Sequence, residues 1–236
     1  MHKNFRQHSC GNADTTLLNW SNINDMAVNF TKTKEMVMGP VALYSNLSLI
    51  QWAEGQIERV SLFKLLGLHL DADFSWHSHV EAVTSKATKR LYFLKQLKRA
   101  GVPHTRLLHF YLAAIRPVLE YAAPVWHHSL NKSQKNQIEA IQKMAIRIIF
   151  SCACDMPYTS ALFVAEPEDL DSRRDLLSYN FFKSILLSTS CLRSLLPPPR
   201  DPELLSRLRA PSKYPRISNT TKKYQSFISY ALAHYQ

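Results

Sequence analysis

The sequence predicts an α+β fold, mostly α, and three observations predict it. Up to about residue 75, short apolar runs are punctuated by Gly39-Pro40 and Glu54-Gly55, the pattern of brief strands and turns. From Trp76 onward, apolar residues recur three and four apart, which is the period of helices. The 236 residues are 46% hydrophobic with only 5 glycines, so the chain can bury a core and should form one or two globular domains. The expected division is a ragged start with a short helix over 1–27, a β segment over 28–75, a helical domain over 76–190, and a proline-dotted basic tail over 191–236.

Leu17, Leu18, Trp20, Ile23 and Met26 suggest a short amphipathic helix after the ragged first residues. Val28 to Met38 reads as a turn and then a strand, Glu35 to Met38, ending at Gly39-Pro40. Between Leu47 and Leu70, the apolar stretches Leu49 to Trp52 and Val60 to Leu68 flank Glu54-Gly55, which predicts a hairpin. The clearest element runs from His79 to Arg99, where Val80, Val83, Ala87, Leu91, Leu94 and Leu97 form one stripe. Ser78 with Glu81 is a capping-box pattern, and Gly101 stands where that helix should stop. Pro103 can open a second helix with Leu107, Leu108, Tyr111 and Ile115, which Pro117 kinks or ends. A third helix, Lys132 to Phe150, uses Ile138, Ile141, Ala145, Ile148 and Ile149. A fourth begins near Pro167 with Glu168 and Asp169 in its first turn. Pro197-Pro198-Pro199 ends the helical pattern, and the tail beyond it reads as an extended arm.

The formal charge of +11 argues for a polyanionic partner, either nucleic acid or an anionic membrane surface. No window approaches the eighteen or so apolar residues of a membrane span, and Met1 to Asn12 are polar, so an intracellular, cytoplasmic or nuclear, chain is expected. Cys10, Cys152, Cys154 and Cys191 are too scattered for a disulfide scaffold, and Cys152-Ala153-Cys154 lacks the spacer of a zinc knuckle; they read as free thiols. Within the first long helix, Lys86, Lys89, Arg90, Lys95, Lys98 and Arg99 appear with no acidic residue among them. Like charges three or four apart repel. A phosphate backbone would remove that cost, so these six residues are the expected nucleic-acid contact.

Several blocks carry a family resemblance. Asn29-Phe30-Thr31-Lys32-Thr33-Lys34-Glu35-Met36, preceded by Trp20-Ser21 and Asp25-Met26, resembles the last palm motifs of LINE-type, non-LTR retrotransposon reverse transcriptases. Phe63-Lys64-Leu65-Leu66-Gly67 with Asp71 and Trp76 resembles the hairpin at the base of the thumb. Lys86 to Leu91, Ile115 to Tyr121, Pro124-Val125-Trp126, Lys213 to Arg216 and Ser226 to Leu232 come next, in the order such elements show. The resemblance spans about residues 17 to 236. It implies a small palm-edge remnant, a helical thumb-like bundle holding RNA, DNA or hybrid duplex through phosphates, and Lys32 as a vestigial triphosphate contact. The parent family uses Mg²⁺ held by paired aspartates. No Asp-Asp dipeptide occurs here, so the resemblance implies a truncated RNA-directed DNA polymerase that is inactive alone, without cofactor or small-molecule substrate.

Residues 63 to 99 also look similar to a short amino-terminal segment of an AlkB-type tRNA-modifying dioxygenase fused to a methyltransferase. That segment lies outside the dioxygenase catalytic domain and transfers no chemistry. His69-Leu70-Asp71 supplies half of a two-histidine, one-carboxylate iron site, but the fold of such an oxygenase is a β-sandwich and everything after Trp76 reads as helix. His77 and His79 read as helix-start residues, and His127-His128 as a polar turn. A helical interaction module, or an inert relic, is the remaining reading.

Overall fold

The structure is a computed structural model that describes residues 11–38, 49–52, 55–150, 160, 168–201, 203, 207, 212–217 and 226–235. It is α+β and mostly α, and among the described residues the paired strands lie in the first third of the chain. Two compact units divide it: Met1–Phe63 with Asp71–Asp73, and Lys64–Leu70 with Phe74–Gln236.

In the first unit, helix α1 (Gly11–Ile23) takes the expected place, but Leu17, Trp20 and Ile23 are exposed rather than packed. A 3-10 turn, Phe30–Lys32, comes after it. Strand β1 (Lys34–Glu35) lies parallel to β4 (Glu58–Arg59), and each residue faces its opposite charge: Lys34 pairs with Glu58, and Arg59 Nη2 meets Glu35 Oε1 at 2.7 Å. The expected strand Glu35 to Met38 is thus shorter and starts earlier, because this cross-strand charge register selects Lys34 and Glu35. Strands β2 (Gln51–Trp52) and β3 (Gly55–Gln56) pair antiparallel.

The expected hairpin from Leu49 to Leu68 is two hairpins. Its second apolar stretch turns back on itself: β5 (Leu62–Leu65) and β6 (Leu68–Asp71) are paired across Leu66 and Gly67, with φ of 48° and 86°. Positive φ at both turn residues matches the right-handed twist of the strands it joins. Leucine is a poor marker of such a turn, which is why the apolar pattern runs through it. Leu47, Gly39-Pro40, Glu54, Cys10, Cys152, Cys154 and Pro167 lie outside the described residues.

The second unit is built on helix α2 (His77–Arg99), which buries Val80, Val83, Ala87, Leu91 and Leu94, the predicted stripe. Its start differs from expectation. Ser78 and Glu81 form no capping box; Trp76 occupies the cap with φ 57° and no side-chain cap bond. Trp76 and Trp126 instead meet the buried His79 ring edge-on at 5.9 and 5.2 Å, fixing the helix entry by aromatic packing. The end is as predicted: Gly101, with φ 76°, donates its N–H to Lys98 O and Val102 donates to Leu97 O, a Schellman closure.

Pro103 caps α3 (His104–Phe110), which runs into a π turn, Tyr111–Ile115, and then α4 (Arg116–Glu120). Pro117 has no N–H to give the preceding turn and its ring crowds that turn, so the helix widens there instead of breaking. A short helix α5 (Ala123–Trp126) and a 3-10 turn, His127–Ser129, lead to α6 (Lys132–Ile149). Asn131 and Gln134 cap α6 reciprocally, and Gln134 Nε2 also donates to Ser75 O at 2.7 Å, tying the starts of α6 and α2 together. Helix α7 (Leu170–Ile185) is capped by Asp169, whose carboxylate accepts from Ser172 N–H; Asp169 therefore precedes the helix rather than lying in its first turn.

One apolar core joins α2 through α7, with α2 and α6 its most extensively packed pair. A smaller cluster sets helix α8 (Phe227–His234) against Phe182, with Tyr214 buried beside them. The tail beyond Pro199 is therefore not an arm throughout. Its end docks on α7, where Tyr235 Oη donates to Asp175 Oδ1 at 2.5 Å. Among the described residues, no helix is long and apolar enough to cross a membrane.

Candidate nucleic-acid interface

The six cations of α2 do not share one surface. Lys86, Lys89, Lys95 and Arg99 are exposed, whereas Arg90 and Lys98 are half-buried and engaged. Arg90 Nη1 donates to the carbonyl of Ala114 in the widened turn. Lys98 Nζ donates to Ile149 O at 3.0 Å, placing its charge at the negative end of α6. These two cations are held in structural bonds, which leaves four of the six exposed.

At about 100° per residue, the four exposed cations also divide between two flanks of the helix. Thr88, Tyr92, Lys95 and Arg99 succeed one another at four, three and four residues and run down the flank toward α6. There Arg147 adds a further exposed cation beside Lys95, across a groove of about 390 Å³. Lys86 and Lys89 lie on the opposite flank, toward the turn of the β5–β6 hairpin. A second space of about 400 Å³ on that side is lined by Lys64, His69, His79, Lys86 and Tyr121. Tyr121 Oη donates to Leu66 O at 2.8 Å and holds the hairpin turn against it. Among the described residues, no ion pair is formed by Lys86, Lys89, Lys95, Arg99 or Arg147.

Sequence reasoning missed Tyr92, Phe93 and Arg147. Tyr92 and Phe93 are each 58% exposed, and their rings meet edge-on at 5.7 Å. Both stand off the apolar stripe of α2, which was the available signal. Arg147 becomes visible only once α6 is packed beside α2.

A second charged cluster lies inside the fold. Arg174 on α7 is fully buried, its guanidinium 5.7 Å from the centre of the Trp126 ring, and its Nε donates to His127 Nδ1 at 3.3 Å. Asp171 Oδ1 lies 3.7 Å from Arg174 Nη2 and 2.9 Å from Lys135 Nζ. Burial, reinforced by the charges of Arg174 and Lys135, pushes the His127 pKa down to about 4, so its imidazole stays neutral and accepts the arginine bond. Burial also pulls Arg174 below the usual arginine value, opposed by Asp171, Glu139 and Glu120. His127 and His128 stand in a turn as expected, but a buried one: α7 and α8 cover them.

Lys32 lies in the first unit. Its backbone N–H is held by Asn29 Oδ1 at 3.0 Å, and Thr31 Oγ1 donates to the same oxygen at 2.8 Å. Thr33 Oγ1 donates to Asn29 O at 2.9 Å. The Asn-Phe-Thr-Lys-Thr run is thereby accounted for as a self-capped turn. Among the described residues, no group of three His, Cys, Asp or Glu residues is placed to hold a metal ion.

The second unit is thus a helical body whose longest helix carries exposed cations on two flanks. A family match falls on that helix: residues 76–116 match "Alkylated DNA repair protein alkB homolog 8, N-terminal". The match runs from the cap of α2 through α3 and the π turn to Arg116, a minor part of the chain. No curated protein and no solved structure matches. The family found at this helix is an AlkB homolog 8 amino-terminal segment and not a reverse transcriptase. The LINE-type resemblance, and the truncated polymerase function drawn from it, are therefore withdrawn. The triphosphate role of Lys32, which rested on that resemblance, goes with them.

Proposed function

We infer that this chain is a helical nucleic-acid-binding module related in part to the amino-terminal segment of AlkB homolog 8, binding phosphates through Lys86, Lys89, Lys95 and Arg99. The observation that carries this reading is the set of four exposed cations on the two flanks of α2, none in an ion pair among the described residues, in a chain of formal charge +11. The match at residues 76–116 supports it, because the family is named for a DNA repair protein and the matched segment includes the helix bearing these cations. RNA, DNA and hybrid duplexes all present the phosphate such cations recognise, so sequence preference is small.

Fluorescence anisotropy with a labelled duplex, over salt from about 50 to 200 mM, tests it. If about four phosphates are neutralised, log K falls with log salt at a slope near −4. Changing Lys86, Lys89, Lys95 and Arg99 together to glutamine should flatten that slope by about four units while the helix content is kept. Changing Lys132, Arg193, Lys213 and Arg216, cations on other segments, should flatten it by no more than about one unit. Equal loss from both sets would mean diffuse attraction and would sink the assignment of α2.

A further inference from the structure

The two flanks of α2 differ in how their aromatic rings are held: on the α6 flank the exposed Tyr92 stands in the groove beside Lys95, whereas on the other flank the exposed Tyr121 is tied by its hydroxyl to Leu66 O. We propose that the groove between α2 and α6 binds single-stranded nucleic acid, with one base stacked on Tyr92 and the adjoining phosphates held by Lys95 and Arg147. This rests on the nucleic-acid reading above and narrows it to a strand whose bases are free to unstack.

Three features favour that occupant. The Tyr92 ring is 58% exposed at the groove, and the edge-on contact with Phe93 supports it from the neighbouring helix position. Met144 and Ile148 form the apolar wall opposite, and Met144 is itself 41% exposed, a soft surface that adapts to a flat base. Lys95 and Arg147 stand at the same groove, one on each helix, where the chain linking successive bases would pass. The space, about 390 Å³, is in the range of sites that hold a small flat ligand. In a duplex the bases are already stacked on one another and offer Tyr92 no free face, so this groove discriminates in favour of single strands. An acidic peptide would satisfy the cations but would have no use for an exposed ring between them.

The test compares a labelled oligothymidylate of about 20 nucleotides with a duplex of equal length, using the full chain. Replacing one stacked base contact costs about 5- to 150-fold in affinity. Y92A is expected to weaken single-strand binding by that factor and to leave duplex binding within about twofold, with an unchanged circular dichroism spectrum. Tyr92→Phe should bind within about threefold of the parent. Tyr92→Leu keeps the bulk but has no π face, so it should behave as Y92A does even if the alanine variant is less stable. K95Q with R147Q should weaken single-strand binding more than K86Q with K89Q. The proposal is overturned if Y92A and Tyr92→Leu bind oligothymidylate as the parent does, if both lose single strand and duplex equally, or if an acidic peptide displaces the oligonucleotide at comparable concentration. Salt-dependent duplex binding that survives such a result would leave the broader reading standing; absence of binding to either nucleic acid would remove both.

Discussion

His127 and Arg174 give the interior of the second unit a pH response that surface charge does not. The imidazole accepts a hydrogen bond from the guanidinium at 3.3 Å, and protonating it would place two like charges in contact inside the core. Its folded pKa of about 4 lies below the unfolded value of about 6.5. As pH falls, the unfolded state therefore takes up the proton first. Stability is full above about pH 6.5 and declines from there to about pH 4, by an upper bound of about 3 kcal/mol. Urea unfolding between pH 7 and 4 measures this, and His127→Asn should remove most of the slope in that window. Arg174→Met takes away one of the charges that depress His127, so the imidazole should titrate at higher pH by NMR; an unmoved midpoint would show that the guanidinium has no part in the shift. Arg174 was legible as an anomaly, since Leu170, Ser178 and Phe182 share its four-residue spacing on the buried side of α7. Asp171, three residues before it, lay within reach of local spacing, but Trp126 and His127 were not legible as partners, because they come from α5 and the 3-10 turn after it.

At the level of elements, the ends of helices show where local pattern is a sound guide and where tertiary contacts replace it. Gly101 closes α2 as its position suggests, and nothing lies within 4 Å of the place its Cβ would occupy. Gly101→Ala should therefore cost about 1 kcal/mol from the left-handed backbone alone. Asn131 with Gln134 fits the reciprocal-cap template in the sequence no less well than Ser78 with Glu81, yet only the first pair forms the cap. The template cannot tell which pair the fold will use, because Trp76 enters the core and takes the cap position of α2 for itself. Asn131→Ala should lower stability by about 1 kcal/mol, within a range of roughly 0.5 to 2, while Glu81→Gln should stay within about 0.5 kcal/mol. Denaturant midpoints for the two variants decide between these assignments. The helical stripe of α2 was legible for a simple reason: a long amphipathic helix states its buried side at every turn. The two-residue strands β1 and β4 do not, since cross-strand charge pairs, not alternation, set their register.

For the molecule as a whole, the cationic surface was legible as a quantity and not as a shape. A sum of charges counts Arg90 and Lys98 equally with Lys86, although one is bonded to Ala114 and the other to the end of α6. It also misses Arg147, which joins Lys95 only through the packing of α6 on α2. The match at residues 76–116 concerns an amino-terminal segment of an AlkB homolog, which invites a test for oxygenase chemistry. Fe²⁺ with 2-oxoglutarate should leave the melting temperature unchanged. A shift of several degrees that disappears in His69→Ala would revive an iron site.

The widened turn ahead of Pro117 bears on how this part of the chain tolerates length changes. Leu107, Tyr111, Ile115 and Leu119 are fully buried at a strict interval of four residues. On a regular α-helix that interval advances about 40° per step, so the row would wind progressively away from the side it started on. The turn at Tyr111–Ile115 holds an extra residue per turn's worth of backbone and resets the phase, which keeps all four on the side facing α2. It works as a vernier. Point substitutions outside the row, Pro117 apart, leave the phase alone, and a single-residue deletion between Tyr111 and Ile115 would set Leu107 and Leu119 about 20° apart on a regular helix, so the row would keep its side without the widened turn.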